Sequence, residues 1–183
     1  MNQNKVIAAL YSLIAFALFV VMDSIGKYLA DYCSVIQIVW ARYFFHILFM
    51  LLIFFFIKKK INFGKNIKIQ IYRSLLLICC TVLTYISVRY NELINFYIIF
   101  FSTPLIASFF SFIFLKEKVT KFGFALIFLS FATIVYSLDP SGSFNTYVII
   151  FPFITAVAFA MYQLLTKIVA KDKEAFVALF YTS

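Results

Sequence analysis

Acidic residues are few in this chain, as are most of the side chains on which a catalytic domain relies. Seven Asp and Glu stand against sixteen Lys and Arg in 183 residues, with a single His, four Gly and three Pro. Charged residues make up 13% and hydrophobic ones 65%, whereas an ordinary soluble domain is about a quarter charged and about half apolar. Such a chain has too little polar surface to close a water-facing shell over its apolar residues. The lone His46 has no second His or Cys nearby, so no metal site is assigned. There is no His-Glu-x-x-His pair, no nucleophile elbow and no clustered pair of carboxylates, which excludes the familiar hydrolytic enzymes. No catalytic residue and no cofactor is therefore assigned. The three cysteines do not form a disulfide framework: Cys79 and Cys80 are adjacent, Cys33 lies at the end of another run, and all three read as packing residues.

What the chain does have is length in its apolar runs. They extend over Val6–Leu29, Val35–Ile57, Ile69–Val88, Leu93–Leu115, Phe122–Leu138 and Tyr147–Val169, each near the ~20 residues a helix needs to span a bilayer. Cations crowd into every second connection: Lys58, Lys59, Lys60, Lys65 and Lys68, then Lys116, Lys118 and Lys121, then Lys167, Lys171 and Lys173. The intervening connections carry only Lys27 and Arg89, or no cation at all. This alternation is the positive-inside pattern and places the N-terminus in the cytoplasm. The formal net charge of +9 is thus charge flanking the inner leaflet, not a nucleic-acid footprint. The first run is too long for a cleavable leader and stays as a span. The abundance of Phe, Ile, Tyr, Asn and Lys fits an AT-rich bacterial genome.

These features predict an all-α integral membrane fold, because runs this long and continuous do not read as barrel strands. Breaker residues Asp139, Pro140, Ser141 and Gly142 mark the connection after the fifth run. Pro104 lies inside the fourth run and is expected to kink it, whereas Pro152 lies near the start of the sixth, where proline is tolerated. Sliding the chain by 140 positions aligns Ser12–Tyr43 with Pro152–Ser183 without a gap, pairing Ile14 with Ile154, Phe19 with Phe159, Lys27 with Lys167 and Ala30 with Ala170. Five spans separate the copies, so the second lies upside down in the membrane, as in inverted-repeat transporters. The expected division is a first five-helix repeat over residues 1–139 and an incomplete second, inverted repeat over 147–183. The second copy holds one helix, the loop Lys171-Asp172-Lys173-Glu174 and the apolar beginning of a seventh helix from Ala175. Completing it would give about ten helices and about 290 residues, so the chain is expected to be a fragment.

Ionisable groups inside spans are costly and mark function by default. Asp23 and Lys27 share one face of the first helix, and Arg42 and His46 repeat that spacing on the second. Asp23 and Arg42 lie at similar depth either side of the turn near Tyr32, which predicts a cross-helix pair that locks the hairpin or lines a pathway. Lys27 is expected to snorkel to the outer interface, and His46 to pack with a hydrogen bond. Trp40, Tyr43, Phe44 and Phe45 supply packing or lipid-facing rings, and an aromatic wall beside Arg42 would suit a planar or cationic solute. Ser102, Thr103 and Pro104, followed by Ser108 and Ser111, form a small polar stretch on the fourth helix. It allows either close helix packing or exposure of backbone groups to a solute.

Several segments together resemble the drug/metabolite transporter superfamily, in its EamA-like branch. MDSIGKYLADY at Met22–Tyr32 and QIVWARYFFH at Gln37–His46 look like that family's first hairpin. RSLLLICC at Arg73–Cys80 looks like the start of its third helix, and Phe100–Gly142 looks like its fourth helix, the connection at Glu117 and the fifth helix. YQLLTKIV at Tyr162–Val169 resembles the opening of the inverted repeat. The resemblance implies a multi-pass transporter in the bacterial cytoplasmic (inner) membrane. Its cargo would be a small organic metabolite, S-adenosylmethionine-like or amino-acid-like. Pathway candidates are Asp23, Lys27, Arg42, Tyr43, His46, Ser102, Thr103 and Pro104. Partners are the metabolite and the lipid bilayer, with no nucleic acid; a complementary fragment or a second copy would supply missing helices. The chain departs from the family in its bulky Asn95-Phe96-Tyr97, its scarce Gly and its unfinished second repeat. The alternative expectation is therefore an inactive remnant of such a transporter.

Overall fold

The structure, a computed structural model, describes residues 3–57, 67–90, 92–116, 121–137, 146–170 and 180–182. Lys58, Lys59, Lys60, Lys65, Lys118, the Asp139–Gly142 breaker cluster and the loop Lys171–Glu174 lie outside the described residues, as does most of the apolar segment beginning at Ala175. The described chain forms helices α1 (Gln3–Ala30), α2 (Val35–Ile57), α3 (Ile67–Tyr90), α4 (Leu93–Phe100), α5 (Thr103–Leu115), α6 (Lys121–Ser137) and α7 (Thr146–Ala170). No strand occurs among the described residues.

Apolar length sets these boundaries, since a helix in hydrocarbon must satisfy its own backbone along its whole course. Five segments are long and apolar enough to cross a membrane: Ala9–Ala30, Val35–Phe56, Ile67–Tyr90, Leu93–Leu115 and Ile149–Val169. α6, at 17 residues, stands at the short end of the spanning range. Large side chains such as Tyr11, Leu13, Phe16, Phe55 and Phe56 are exposed on α1 and α2, an apolar surface suited to a lipid environment. The protein is an all-α, multi-pass membrane protein.

The bundle is organised around α3, against which α1, α2, α4 and α7 all pack. Its buried residues are mostly polar: Gln70, Arg73, Cys80, Thr81, Thr84, Tyr85, Ser87 and Val88. On α7, Thr155, Ala156 and Ala160 have no exposed surface. Small side chains of this kind let helix backbones approach closely, a usual basis of helix association in lipid. Toward one end of the bundle, Ala30, Ile38, Tyr85, Val88 and Phe96 form a second cluster joining α1, α2, α3 and α4. The turn between α1 and α2 is tied by the amides of Tyr32 and Cys33 bonding to the Leu29 carbonyl at 3.0 and 2.8 Å. Ser34 then caps α2, with its hydroxyl accepting the Gln37 amide at 3.4 Å.

Helix directions can be read from contacts with α3. Gly26 and Lys27 of α1 meet Tyr85 and Val88, so α1 runs parallel to α3. On α7, Thr155 meets Cys80 and Tyr162 meets Arg73, so α7 runs antiparallel to it. Gly26 matters to the first contact. A Cβ there would collide with the Tyr85 ring, lying 3.0 Å from both Cζ and the hydroxyl oxygen.

Both prolines behave differently from expectation. The fourth run is broken rather than merely kinked: Phe101 and Ser102 form a turn between α4 and α5, and Pro104 occupies the first turn of α5. The break leaves few orphan groups. The Phe101 amide bonds to the Tyr97 carbonyl at 2.8 Å, and Ser102 bonds to Ile99 at 3.0 Å. The Thr103 hydroxyl donates to the Phe100 carbonyl at 2.5 Å. Pro152, by contrast, is inside α7 and not near its start, because the helix begins at Thr146, ahead of the apolar run. Of the cysteines, Cys80 is buried and Cys33 half-buried, both packing as expected, but Cys79 is exposed.

Candidate functional site

Asp23 lies on the inward face of α1, one turn before Lys27. The residue is 9% exposed, and its carboxylate accepts a hydrogen bond from the Tyr97 hydroxyl at 2.7 Å. Tyr97 comes from α4, which is held in place by Phe96, 1% exposed in the core cluster and stacked on Phe100. The bulky Asn95-Phe96-Tyr97 stretch is therefore used: Phe96 fills the core and Tyr97 anchors the acid. It is not a disruption of the fold.

The expected Asp23–Arg42 pair does not form. Arg42 acts on Asp23 through space, but no ion-pair contact joins the two among the described residues. The Arg42 charge also acts through space on Tyr85, Tyr43 and His46. Matching depth placed Asp23 and Arg42 near one level of the bundle, but depth alone does not bring two side chains into contact. Tyr43 turns inward from α2, sharing a hydrogen bond of 3.2 Å with Thr81, while Trp40 points outward and stacks on Phe44. His46 is half-buried one turn beyond Arg42.

Lys27 does not snorkel freely. Its ammonium donates to the Val88 carbonyl, in the last turn of α3. That carbonyl is one of the four at a helix C-terminus with no intrahelical partner, and a cation there also complements the helix dipole. Lys27 thus fastens the end of α1 to the end of α3.

Asp23, Arg42, Tyr43, Tyr85 and Tyr97 form one polar and aromatic constellation contributed by α1, α2, α3 and α4. Counting from the helix ends Ala30 and Val35, Asp23 and Arg42 lie about 10 Å inside the bundle. Ser102, Thr103 and Pro104 are not in direct contact with it; they form the joint just beyond α4. There the Ser102 hydroxyl is buried without a hydrogen-bond partner.

One charged residue was overlooked in the sequence. Arg73 is 2% exposed on α3 and lies over the Tyr162 ring of α7, 5.6 Å from its centroid. Gln70, one turn away, is also buried, and its carbonyl oxygen has no partner. The signal was present: Arg73 falls inside the Ile69–Val88 run, but its closeness to Lys68 disguised it as a flanking cation. Among the described residues, no three His, Cys, Asp or Glu side chains come together as metal ligands.

A bundle of long apolar helices with charged and polar side chains buried inside it defines a polytopic membrane protein. The family model of the EamA-like transporter family matches residues 6–138. The chain belongs to that family and is a membrane transporter of the drug/metabolite type. No curated protein and no solved structure matches the chain.

Proposed function

We propose that this chain moves a small organic metabolite across the bacterial cytoplasmic membrane, along a path that passes Asp23 and Arg42. The observation that carries this reading is that Asp23 is buried with its carboxylate held by Tyr97, while half-buried Arg42 acts on it through space without an ion-pair contact among the described residues. Two charges kept apart in this way suit a solute that carries both signs, its carboxylate meeting Arg42 and its cationic group meeting Asp23. Amino-acid-like and S-adenosylmethionine-like metabolites have that chemistry. The tyrosine faces supply the cation–π surface such a group favours. Lys27, His46 and Tyr43 frame the path, and the Ser102-Thr103-Pro104 joint offers an unpartnered hydroxyl further along it.

In this reading the N-terminus is cytoplasmic, residues 1–139 form the first repeat, and residues 147–183 begin the inverted second. The role requires no catalytic group, cofactor or metal. The test is uptake of labelled methionine and S-adenosylmethionine into proteoliposomes containing the purified chain, compared with Arg42→Gln and Asp23→Asn. Loss of one charged contact is expected to cut transport at least about tenfold. Uptake that persists unchanged in both variants would remove the pathway from this site.

A further inference from the structure

A groove of about 370 Å³ runs between α5 and α7, lined by Pro104, Ala107, Ser108, Ser111, Gln163 and Lys167, with Leu164 at its floor. Its chemistry changes with depth. Lys167 lies three residues from the end of α7 and Ser111 four from the end of α5, or about 5–6 Å inside the bundle. Gln163 and Ser108 follow a turn deeper, and Ala107 and Pro104 close the inner part about 12–17 Å from that end. Every polar group in the described lining can donate a hydrogen bond, and none is a carboxylate. The same end of the bundle carries exposed Lys116, at the C-cap of α5.

A cleft with a cationic mouth, hydroxyl and amide walls and an apolar floor is shaped for an amphiphile with an anionic head. It opens sideways beside Pro104 and Phe112, which face outward, so an occupant can enter from the bilayer. We propose that this groove holds an anionic phospholipid of the cytoplasmic leaflet, with its phosphate at Lys167, Gln163 and the serine hydroxyls and an acyl chain along Ala107 and Pro104. Basic clefts between spans on this side of a membrane are suited to such headgroups. The site is separate from the Asp23–Arg42 constellation, and its occupancy would brace α5 against α7, which share this face.

Native mass spectrometry of the purified chain tests this, with phosphatidylglycerol and phosphatidylcholine of identical acyl chains as probes. The expected result is preferential retention of phosphatidylglycerol, reduced about fivefold by Lys167→Gln. Lys68→Gln, an equal charge change on α3 outside the groove lining, should leave retention within about twofold. Ser108→Phe fills the groove without altering charge and should also lower retention. Equal retention of the two lipids, or equal losses in the two lysine variants, would overturn the proposal. So would displacement of phosphatidylglycerol by glycerol phosphate at matched concentration, which would assign the groove to a soluble anion. The wild-type comparison of the two lipids stands even where a variant fails to fold.

Discussion

α1 and α7 occupy equivalent positions in the 140-residue slide, and they spend their polar residues in opposite ways. Asp23 and Lys27 of α1 correspond to Gln163 and Lys167 of α7. On α1 the pair turns into the bundle: the acid is held by Tyr97, the lysine by the end of α3. On α7 the pair lines an open groove, while the residues that meet α3 are Thr155 and Tyr162. Both helices pack on α3 in opposite directions, so the same spacing of polar residues has been put to two uses. α7 turns its pair aside from α3, whereas α1 docks with Gly26 and Ala30 close to α3 and its pair turned inward.

This contrast can be broken at several points. The largest effect is expected at a fully buried small residue: Ala160→Leu should overpack the buried face of α7 and cost about 3 kcal/mol, read as unfolding in mixed micelles. Gly26→Ala should strike the corresponding contact of α1 by forcing the Tyr85 ring aside, at about 1–3 kcal/mol. A Gly26→Ala variant as stable as the parent would show that the ring has room to move. Tyr97→Phe leaves a buried carboxylate one bond short and should cost about 1–2 kcal/mol. Its effect should vanish in an Asp23→Leu background, which a double-mutant cycle would measure. The smallest change sharpens the comparison: Gln163→Asp gives α7 the same acid–lysine pair as α1, yet should shift stability by less than about 0.5 kcal/mol because that face is open. A large effect there would mean that the α7 pair is buried as the α1 pair is.

The sequence made the spans legible almost to the residue; Val35–Ile57 is both an apolar run and a helix. Apolar length is a property of one segment and needs no knowledge of its neighbours. Partners were less legible. Asp23 and Arg42 were placed near one level from their distance to the turn, but level fixes depth and not direction around the helix, so it could not show that the two make no direct pair. Tyr97 was hidden in another way, since a bulky side chain reads as an obstacle until its hydroxyl is placed against an acid. Ala156 and Ala160 escaped notice because alanine is common in any apolar helix, and only the packed bundle shows which alanines are buried.

The joint at Phe101 and Ser102 has a mechanical consequence. It divides one membrane crossing into two rods that meet at a hinge whose backbone bonds are already satisfied by tightened turns. α4 is moored to α3 and α7, with its tyrosine on the acid of α1, while α5 leans on α7 and α6. A load that tilts α5 can be absorbed at the hinge before it reaches Tyr97. The grip on Asp23 and the inner half of the crossing can then move on separate schedules.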